Sequence, residues 1–329
     1  MSQASVVVAN GTGAAVRSAL NSALAALVSN NSGTSAPSTT YPFMLWADTT
    51  NDLLKMRNEA DSAWITIGRT DLTNPGLSAV PRWHIAGMTY GNNGTDPTND
   101  IDIAAGQCAS DDVTDANRVL LNPGVMTKQL DAVWAAGTAA GGRISSESLA
   151  NGGWNIFAFR RSGGSDDYCF SQSLSPTLPD GGTNKRLIGW INRVSGAIAT
   201  FTTYETTGGG LELLWNAPTL DIDLSNTLTT SRRTDAVNVP LSFSTIAKLN
   251  MRIQDSTTNW ECNFCCPDQT DAAPSPTVAP LGNIVAEAVG NLQQMDIRTS
   301  STGTIAARAN GTVDSYRVVT VGFTWVRRN

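Results

Sequence analysis

The sequence predicts a mainly β protein: a short N-terminal helix, a small β-meander and then a large antiparallel β-sandwich that is jelly-roll-like. Three observations support this prediction. One amphipathic segment lies near the N-terminus, short apolar runs continue from there to the C-terminus, and turn-forming residues separate the runs. Many short strands without crossover helices between them favour antiparallel sheets.

The composition limits the partners of the chain. Its 329 residues are sufficient for a substantial core, but charged residues make up only 15% of them, against about 25% in ordinary domains. The net charge of −6 disfavours binding to nucleic-acid phosphates. No apolar run approaches the ~18 residues of a membrane span, and the first residues lack the pattern of a secretory signal. We therefore expect neither a nucleic-acid partner nor membrane insertion. We expect the protein to assemble in a cytoplasm.

Residues 1–36 are predicted to form an N-terminal helix and a linker. Within residues 14–28, good helix formers separate apolar residues at helical spacing, and Thr12 or Asn10 is available as the N-cap. The apolar stripe consists of Val16, Leu20, Leu24, Leu27 and Val28. Because isolated helices this short are marginal in water, we expect the helix to dock on a partner or to assemble with copies of itself. A polar stretch from Asn30 to Ser38, with Gly33 and Pro37, ends it.

Residues 37–70 are predicted to form a small β-meander. Its expected strands are Tyr41–Ala47, Leu53–Arg57 and Ala63–Ile67, with Trp46 and Trp64 as apolar anchors. A meander of this size buries little apolar surface, so we expect neighbouring chains or a larger assembly to stabilise it.

A hinge is expected at residues 71–80, and residues 81–329 are predicted to form the β-sandwich domain. One exception to its strand pattern is Thr127–Ala136, which we predict to be a short helix. Asn310-Gly311 is a strong signal for a two-residue hairpin, and Ser195-Gly196 is another turn. The expected strands are Ile101–Ala104, Trp154–Arg160, Tyr168–Ser173, Arg186–Asn192, Ile198–Tyr204, Leu211–Trp215, Val239–Phe243, Leu249–Gln254, Trp260–Cys266, Ile284–Ala288, Gln294–Arg298, Thr304–Ala309 and Tyr316–Val326.

Two parts of the chain resemble proteins of tailed bacteriophages. The N-terminal part contains GTGAAVRSALNSALAAL and, at 45–68, LWADTTNDLLKMRNEADSAWITIG, which resembles a module of tail-fibre and tail-tip proteins. The later part resembles a β-rich domain of the same class of virion proteins, through NDIDIAAGQCASDD at 99–112, YCFSQSLSPTLPDGGTNKRLIGWI at 168–191, CCPDQTDAAPSPTVAPLG at 265–282 and VTVGFTWVRR at 319–328.

This resemblance implies a non-enzymatic virion structural protein that forms homotrimers and contributes to host adhesion. Residues 1–70 would attach it to other tail or baseplate proteins, and the β-sandwich would contact a glycan or protein receptor on the host surface. Its location would be the virion tail, assembled in the host cytoplasm. Three alternatives stay open: a head (capsid) fibre, a baseplate or collar adaptor, and a tail-borne polysaccharide depolymerase or esterase.

Histidine and cysteine support a structural interpretation. His84 is the single histidine, and no G-x-S-x-G motif accompanies it, so we favour a structural role beside Trp83 over that of a catalytic base. Cys262, Cys265 and Cys266 could form half of a zinc site or a disulfide, but a second ligand pair is missing. In a strand, Cys262 and Cys266 would face one side and Cys265 the other, which favours buried apolar thiols.

Acidic residues suggest a cation site only weakly. Asp100 and Asp102 alternate with two isoleucines, which is typical of the solvated face of a half-buried strand. The stretch does not match the spacing of an EF-hand loop, so we favour a solvated face or turn over a calcium site. Its members are Asp96, Asp100, Asp102, Asp111, Asp112 and Asp115.

Two further groups are candidates for a glycan site. Glu147, Glu205 and Glu212 are candidates for the paired carboxylates of a glycosidase, but the sequence does not show which of them lie close together. Tryptophans could stack on sugar rings, yet on sandwich strands they more often belong to the core. These are Trp154, Trp190, Trp215 and Trp260. We accordingly predict no catalytic, cofactor-binding or metal-binding residues.

Overall fold

The chain divides into two compact units, which are described separately. The computed structural model describes residues 3–4, 7–70, 82–112, 119–163, 165–277, 279 and 281–327. The first unit comprises residues 1–84 and 108–121, and the second comprises residues 85–107 and 122–329. The hinge expected at 71–80 and Asp115 lie outside the described residues, and the domain boundaries given above stay predictions.

The first unit contains one helix and a three-stranded antiparallel meander. The helix α1 is Gly13–Val28, and the strands are β1 (Leu45–Asp48), β2 (Leu53–Arg57) and β3 (Trp64–Arg69), in that order. Asp48 forms the first turn, because its Oδ1 accepts hydrogen bonds from the backbone N–H groups of Thr50 (3.1 Å) and Asn51 (3.3 Å). The predicted helix and the second and third predicted strands are confirmed within two residues at their ends, whereas the first strand begins at Leu45, four residues later than predicted.

Strands form nearly all of the remaining regular structure, apart from a 3-10 turn at Pro179–Gly181. In chain order they are β4 (Ile85–Gly87), β5 (Tyr90–Asn92), β6 (Asp100–Ile103), β7 (Gly106–Ala109), β8 (Val119–Asn122), β9 (Met126–Val133), β10 (Ala140–Arg143), β11 (Gly152–Arg160), β12 (Asp166–Ser171), β13 (Asn184–Val194), β14 (Ala197–Ile198), β15 (Phe201–Thr206), β16 (Gly210–Trp215), β17 (Leu220–Leu228), β18 (Arg233–Ala236), β19 (Ile246–Gln254), β20 (Glu261–Cys265), β21 (Ile284–Val285), β22 (Asn291–Arg298), β23 (Thr304–Ala309) and β24 (Val313–Trp325).

Three sheets lie entirely within the second unit. An eight-stranded sheet has the order β14-β13-β11-β12-β10-β9-β6-β5, and a six-stranded sheet has the order β15-β16-β24-β19-β22, with β17 also paired to β24. A four-stranded sheet has the order β18-β23-β20-β21. Their pairs are antiparallel except that β10 runs parallel to both β9 and β12. The chain is thus mainly β, as predicted.

The core lies on one face of the six-stranded sheet. Along β19, Ala247 and Ile253 are completely buried and point to the same side, and their partners on β24 are Phe323 and Tyr316. Phe323 lies 5.9 Å, centroid to centroid, from Trp190 of the eight-stranded sheet. On that same side, the Tyr316 ring lies 5.5 Å from Phe264 of the four-stranded sheet. Both other sheets therefore cover the same face, which makes a sandwich.

Turn chemistry explains part of the topology. Ser195 and Gly196 both have positive φ (52° and 86°) and form the predicted turn, which joins β13 to β14 through two residues. The hairpin predicted at Asn310-Gly311 is wrong, because β23 and β24 belong to different sheets. The side chain of Asn310 instead accepts a hydrogen bond from the Glu261 N–H at 2.9 Å, and Gly311 packs against the ring of Trp260. This dipeptide therefore carries the chain from one sheet to the other.

Three further sequence predictions are wrong. Ile198–Tyr204 is not one strand, because Ala197–Ile198 forms β14 of the eight-stranded sheet and Phe201–Thr206 forms β15 of the six-stranded sheet. Thr127–Ala136 is not a helix, because residues Met126–Val133 form β9 between β6 and β10. Its inward side chains include Lys128, whose charge concealed the two-residue alternation in the sequence. Val239–Phe243 is not a strand: Pro240 lacks a backbone donor and Ser242 has a φ of 82°, so the segment crosses between strands as a loop.

Candidate functional site

Helix α1 presents its large apolar side chains to solvent. Thr12 is the N-cap, as one of the two predicted alternatives, and its Oγ1 accepts a hydrogen bond from the Ala15 N–H at 3.3 Å. Leu20, Leu24 and Leu27, which lie on one side, are 49%, 57% and 69% exposed, and Val28 is 84% exposed. The less exposed side carries Val16 and three alanines: Ala19, Ala23 and Ala26. We name the stripe of Leu20, Leu24, Leu27 and Val28 the leucine face.

The meander next to α1 is held together by two tryptophans, as predicted. The ring centroids of Trp46 and Trp64 are 5.3 Å apart, and Lys55 and Arg57 lie over the two rings at 4.7 Å and 5.1 Å. Burial raises the pKa of Asp48, but its hydrogen bonds with Lys55 and Asn51 outweigh burial and lower the pKa overall.

Backbone pairing fixes the segment between α1 and the meander. The Gly33 N–H donates to the Ala47 carbonyl at 3.0 Å, and the Ala47 N–H donates to the Asn30 carbonyl at 3.0 Å. The Trp46 indole also donates to the Gly33 carbonyl at 3.2 Å. The end of the helix is therefore tied to β1, while the leucine face has solvent in front of it.

In the second unit, a cleft of about 380 Å³ lies beside Asp221 on β17. Its polar wall consists of Asp221, Asn192, Asn238 and Thr219, and its apolar lining includes Trp215, Val194 and Val237. We name it the Asp221 cleft. Two other clefts lie near β22: one of about 510 Å³ beside Cys265 and Met295, and one of about 250 Å³ beside Thr245 and Trp325.

Asp221 is held by neutral donors. Its Oδ2 accepts from the Thr320 N–H at 3.0 Å and from the Thr320 hydroxyl, and its Oδ1 accepts from the Thr219 hydroxyl at 3.3 Å. Burial raises the pKa of this carboxyl, and the hydrogen bonds only partly offset the effect. A partly desolvated carboxylate that keeps accepting capacity can bind the hydroxyl or N–H groups of a ligand.

The sequence prediction missed Asp221 and the strand that carries it. The alternation Leu220-Asp221-Ile222-Asp223-Leu224 was the available signal for β17. Asn192 and Asn238, by contrast, carry no local signal, because their amides meet only when the sheets pack.

The cysteines are arranged as predicted. Cys262 and Cys266 are buried and Cys265, which faces the other side, is only half-buried. All of the cysteines are free thiols, and burial raises the pKa of Cys262 to about 12. Cys108 and Cys169 are buried as well.

His84 and the acidic stretch lie in different surroundings. His84 is half-buried, and its backbone carbonyl accepts a hydrogen bond from the Ala109 N–H at 2.8 Å.

Asp96 forms a turn by accepting hydrogen bonds from the N–H groups of Thr98 (3.1 Å) and Asn99 (3.2 Å). Within the described residues, no group of three or more His, Cys, Asp or Glu side chains is placed to hold a metal ion.

The prediction of a solvated face for Asp100 and Asp102 is wrong. Asp100 is 9% exposed, and its burial, together with the nearby Asp96 and Asp131, raises its pKa. Asp102 is half-buried and accepts hydrogen bonds from Asn93 (2.9 Å) and Thr127 (2.6 Å). Neighbouring polar side chains, which the sequence pattern does not reveal, replace water at this face.

The glutamates have separate partners. Glu205 and Glu212 lie on opposite faces of their hairpin, because Glu212 pairs with Tyr204, the residue before Glu205. Glu212 lies 3.0 Å from Lys248. Glu147 accepts hydrogen bonds from the Ser171 hydroxyl (2.6 Å) and the Gln172 N–H (2.7 Å).

Three of the four tryptophans belong to the core, as favoured from the sequence, and Trp260 does not. Trp154, Trp190 and Trp215 are 0%, 3% and 5% exposed, and Trp260 is half-buried. Trp215, which lines the Asp221 cleft, has the rings of Trp190 and Phe201 against it, with ring centroids at 6.1 Å and 6.2 Å.

No family model matches the chain, and no curated protein matches it in sequence. In the described residues, no helix is both long enough and apolar enough to span a membrane.

Proposed function

We propose that the chain is a structural protein of a tailed-bacteriophage virion, a homotrimeric tail-fibre or tail-tip subunit that contributes to attachment to the host surface. In this proposal, residues 1–70 attach the subunit to other tail or baseplate proteins, and the β-rich domain contacts a host receptor. Support comes from the resemblance of both parts of the sequence to such proteins.

The leucine face is the observation that carries the proposal. A globular protein normally turns the apolar stripe of a surface helix towards its core, whereas here Leu24 and Leu27 are more than half exposed. Burying a leucine side chain contributes about 1.5–3 kcal/mol, so covering this face in every subunit is a considerable driving force. A closed ring of identical subunits brings equivalent helices together around one axis and covers the face in each of them.

The small charge content fits this role. The leucine face contains no charged side chain, and Arg17 is the single charged residue of α1. Association through such a surface depends little on ionic strength, because screening by salt acts on charges and leaves apolar contacts intact.

The oligomeric mass of the full chain tests the proposal. Light scattering should give the mass of three copies, and Leu24→Glu/Leu27→Glu should give monomers. Ser18→Glu/Ser22→Glu is the matched control, because both serines are exposed on the side of α1 away from the leucine face; this variant should stay trimeric. A monomeric wild-type chain at micromolar concentration would contradict the trimer.

Location on the particle needs a second experiment. In negative-stain micrographs of virions, an antibody against residues 81–329 should label the tail. Label at the head vertices would instead indicate a head fibre. A truncation after Val80 distinguishes a receptor-binding subunit from an adaptor: without the β-rich domain, a receptor-binding subunit still yields particles, but these adsorb poorly.

A further inference from the structure

We propose that the Asp221 cleft binds one ring of a neutral, hydroxyl-rich ligand, the chemistry of a sugar residue of a host-surface glycan. This inference rests on the proposed function for its source of ligand, but the binding chemistry follows from the cleft alone. The cleft, at about 380 Å³, is at the small end of the range of ligand sites and therefore fits a single ring better than an extended chain.

The hydrogen-bonding groups of the cleft are fixed before a ligand arrives. The backbone of Asn238 is held on both sides: its N–H donates to the Thr320 hydroxyl at 3.1 Å, and its carbonyl accepts from the Trp215 indole at 3.3 Å. The Asn192 Nδ2 donates to the Asn238 Oδ1 at 2.8 Å, which orients both amides. Groups that are ordered in the free protein lose little entropy when they bind.

This arrangement leaves a matched set of donors and acceptors. Within the described residues, the Asn238 Nδ2 and the Asn192 Oδ1 have no hydrogen bond to the protein, and the hydrogen bond that the Asp221 Oδ1 accepts from the Thr219 hydroxyl is long, at 3.3 Å. The cleft thus offers two acceptors and one donor. Neighbouring hydroxyl groups on a sugar ring both donate and accept, so they can satisfy all of these atoms together.

Other ligand classes fit less well. An anionic sugar would bring its charge next to the Asp221 carboxylate. An ammonium group could pair with that carboxylate, but it only donates hydrogen bonds and would leave the Asn238 Nδ2 unmatched. The apolar lining, which includes Val194 and Val237, suits the C–H groups of a sugar ring or the methyl of an acetamido group.

Saturation-transfer NMR on the full chain tests the inference with four neutral probes: glucose, galactose, rhamnose and N-acetylglucosamine. At least one should give a saturable signal. Asp221→Asn should weaken its binding by about tenfold or more, because a hydrogen bond to a charged group is replaced by one to a neutral group. Asp223→Asn is the matched control: Asp223 lies on the same strand, pairs with Arg317 and is 52% exposed, so binding should not change.

A second variant keeps the test valid if Asp221→Asn folds poorly. Ala217 is exposed on the lining of the cleft, so Ala217→Trp should block it without disturbing the core. The inference is overturned if none of the four sugars binds, if both cleft variants bind as the wild type does, or if glucuronate or Nα-acetyl-lysine amide binds more strongly than every neutral sugar. None of these results tests the proposed trimer, because light scattering measures the oligomeric mass separately.

Discussion

Lys128 Nζ lies 3.1 Å from Asp167 Oδ1, and both side chains are almost completely buried. The ammonium also donates to the carbonyls of Ala135 (2.7 Å) and Gly137 (3.1 Å), and Asp167 Oδ2 accepts from the Gly137 N–H at 2.9 Å. Burial lowers the pKa of Lys128, and the charge of Asp167 opposes this effect. The pair therefore ties the segment after β9 to β12.

Lys128→Met should lower the free energy of unfolding by about 3–5 kcal/mol, because it leaves the buried Asp167 without its counter-ion. Urea denaturation at neutral pH measures the loss. Lys248→Met is the matched control: Lys248 lies 3.0 Å from Glu212, but both side chains have access to water. The control should lose only about 0–1 kcal/mol. Equal losses in the two variants would contradict the role given to the buried pair.

Gly311→Ala should destabilise the protein by about 1–3 kcal/mol, because an added Cβ would overlap the ring of Trp260 and force the corner between β23 and β24 to shift. The urea midpoint provides the measurement. Gly124→Ala is its control, since a Cβ there would meet nothing within 4 Å. A midpoint for Gly311→Ala equal to that of the control would show that the corner has room for the methyl group.

The same corner shows what a sequence pattern can predict and what it cannot. Local chemistry correctly located the turn at Asn310-Gly311, and period-two alternation is present in strands such as β20. Neither reports which strand becomes the neighbour of another, because pairing depends on contacts between distant parts of the chain. Asn310 therefore looked like a hairpin residue, although its hydrogen bonds are made to Glu261, far away in sequence.

The candidate sites were predictable to different degrees. Helical spacing alone predicts the leucine face, although the predicted stripe also contained Val16, which lies on the less exposed side. That α1 needs a partner stays a prediction. Lys128 misled the prediction of β9, because a lysine normally marks a solvent position and only Asp167 permits its burial. The Asp221 cleft could not be foreseen, since Asn192 and Asn238 come from separate strands and loops.

Thiol labelling of the native protein should modify Cys265 first. Cys265 is only half-buried, whereas Cys108, Cys169, Cys262 and Cys266 are buried. Reagents react with the thiolate form of an accessible thiol, so the buried thiols should react only when the protein opens. We expect a fast phase of one thiol, measured by absorbance with an aromatic disulfide reagent.

Cys265→Ser provides the control for this labelling, because it should remove the fast phase and leave the slow one. A fast phase that persists in this variant would show that another thiol is accessible. Fewer than five thiols after full denaturation without reductant would indicate a disulfide, in conflict with the free thiols of the structure.

Asp221→Asn should change stability in a pH-dependent way. Burial raises the folded-state pKa of Asp221, so between the unfolded and folded pKa values the folded protein binds more protons than the unfolded chain. The charged carboxylate therefore costs stability above the folded pKa, and this cost disappears below the unfolded value of about 3.9. The free energy of unfolding of Asp221→Asn, relative to that of the wild type, should consequently be higher at about pH 7 than at about pH 3.

Urea unfolding of the wild type and of Asp221→Asn at the two pH values measures the difference between their free energies of unfolding. The titration of all other groups cancels in this difference. Asp223→Asn is again the control, because Asp223 is 52% exposed and its ion pair with Arg317 lies at the surface. Its pH dependence relative to the wild type should be small or of opposite sign, since a carboxylate paired with a cation stabilises the folded state above its pKa. A difference for Asp221→Asn that is the same at both pH values would show that the cleft leaves this carboxylate fully hydrated.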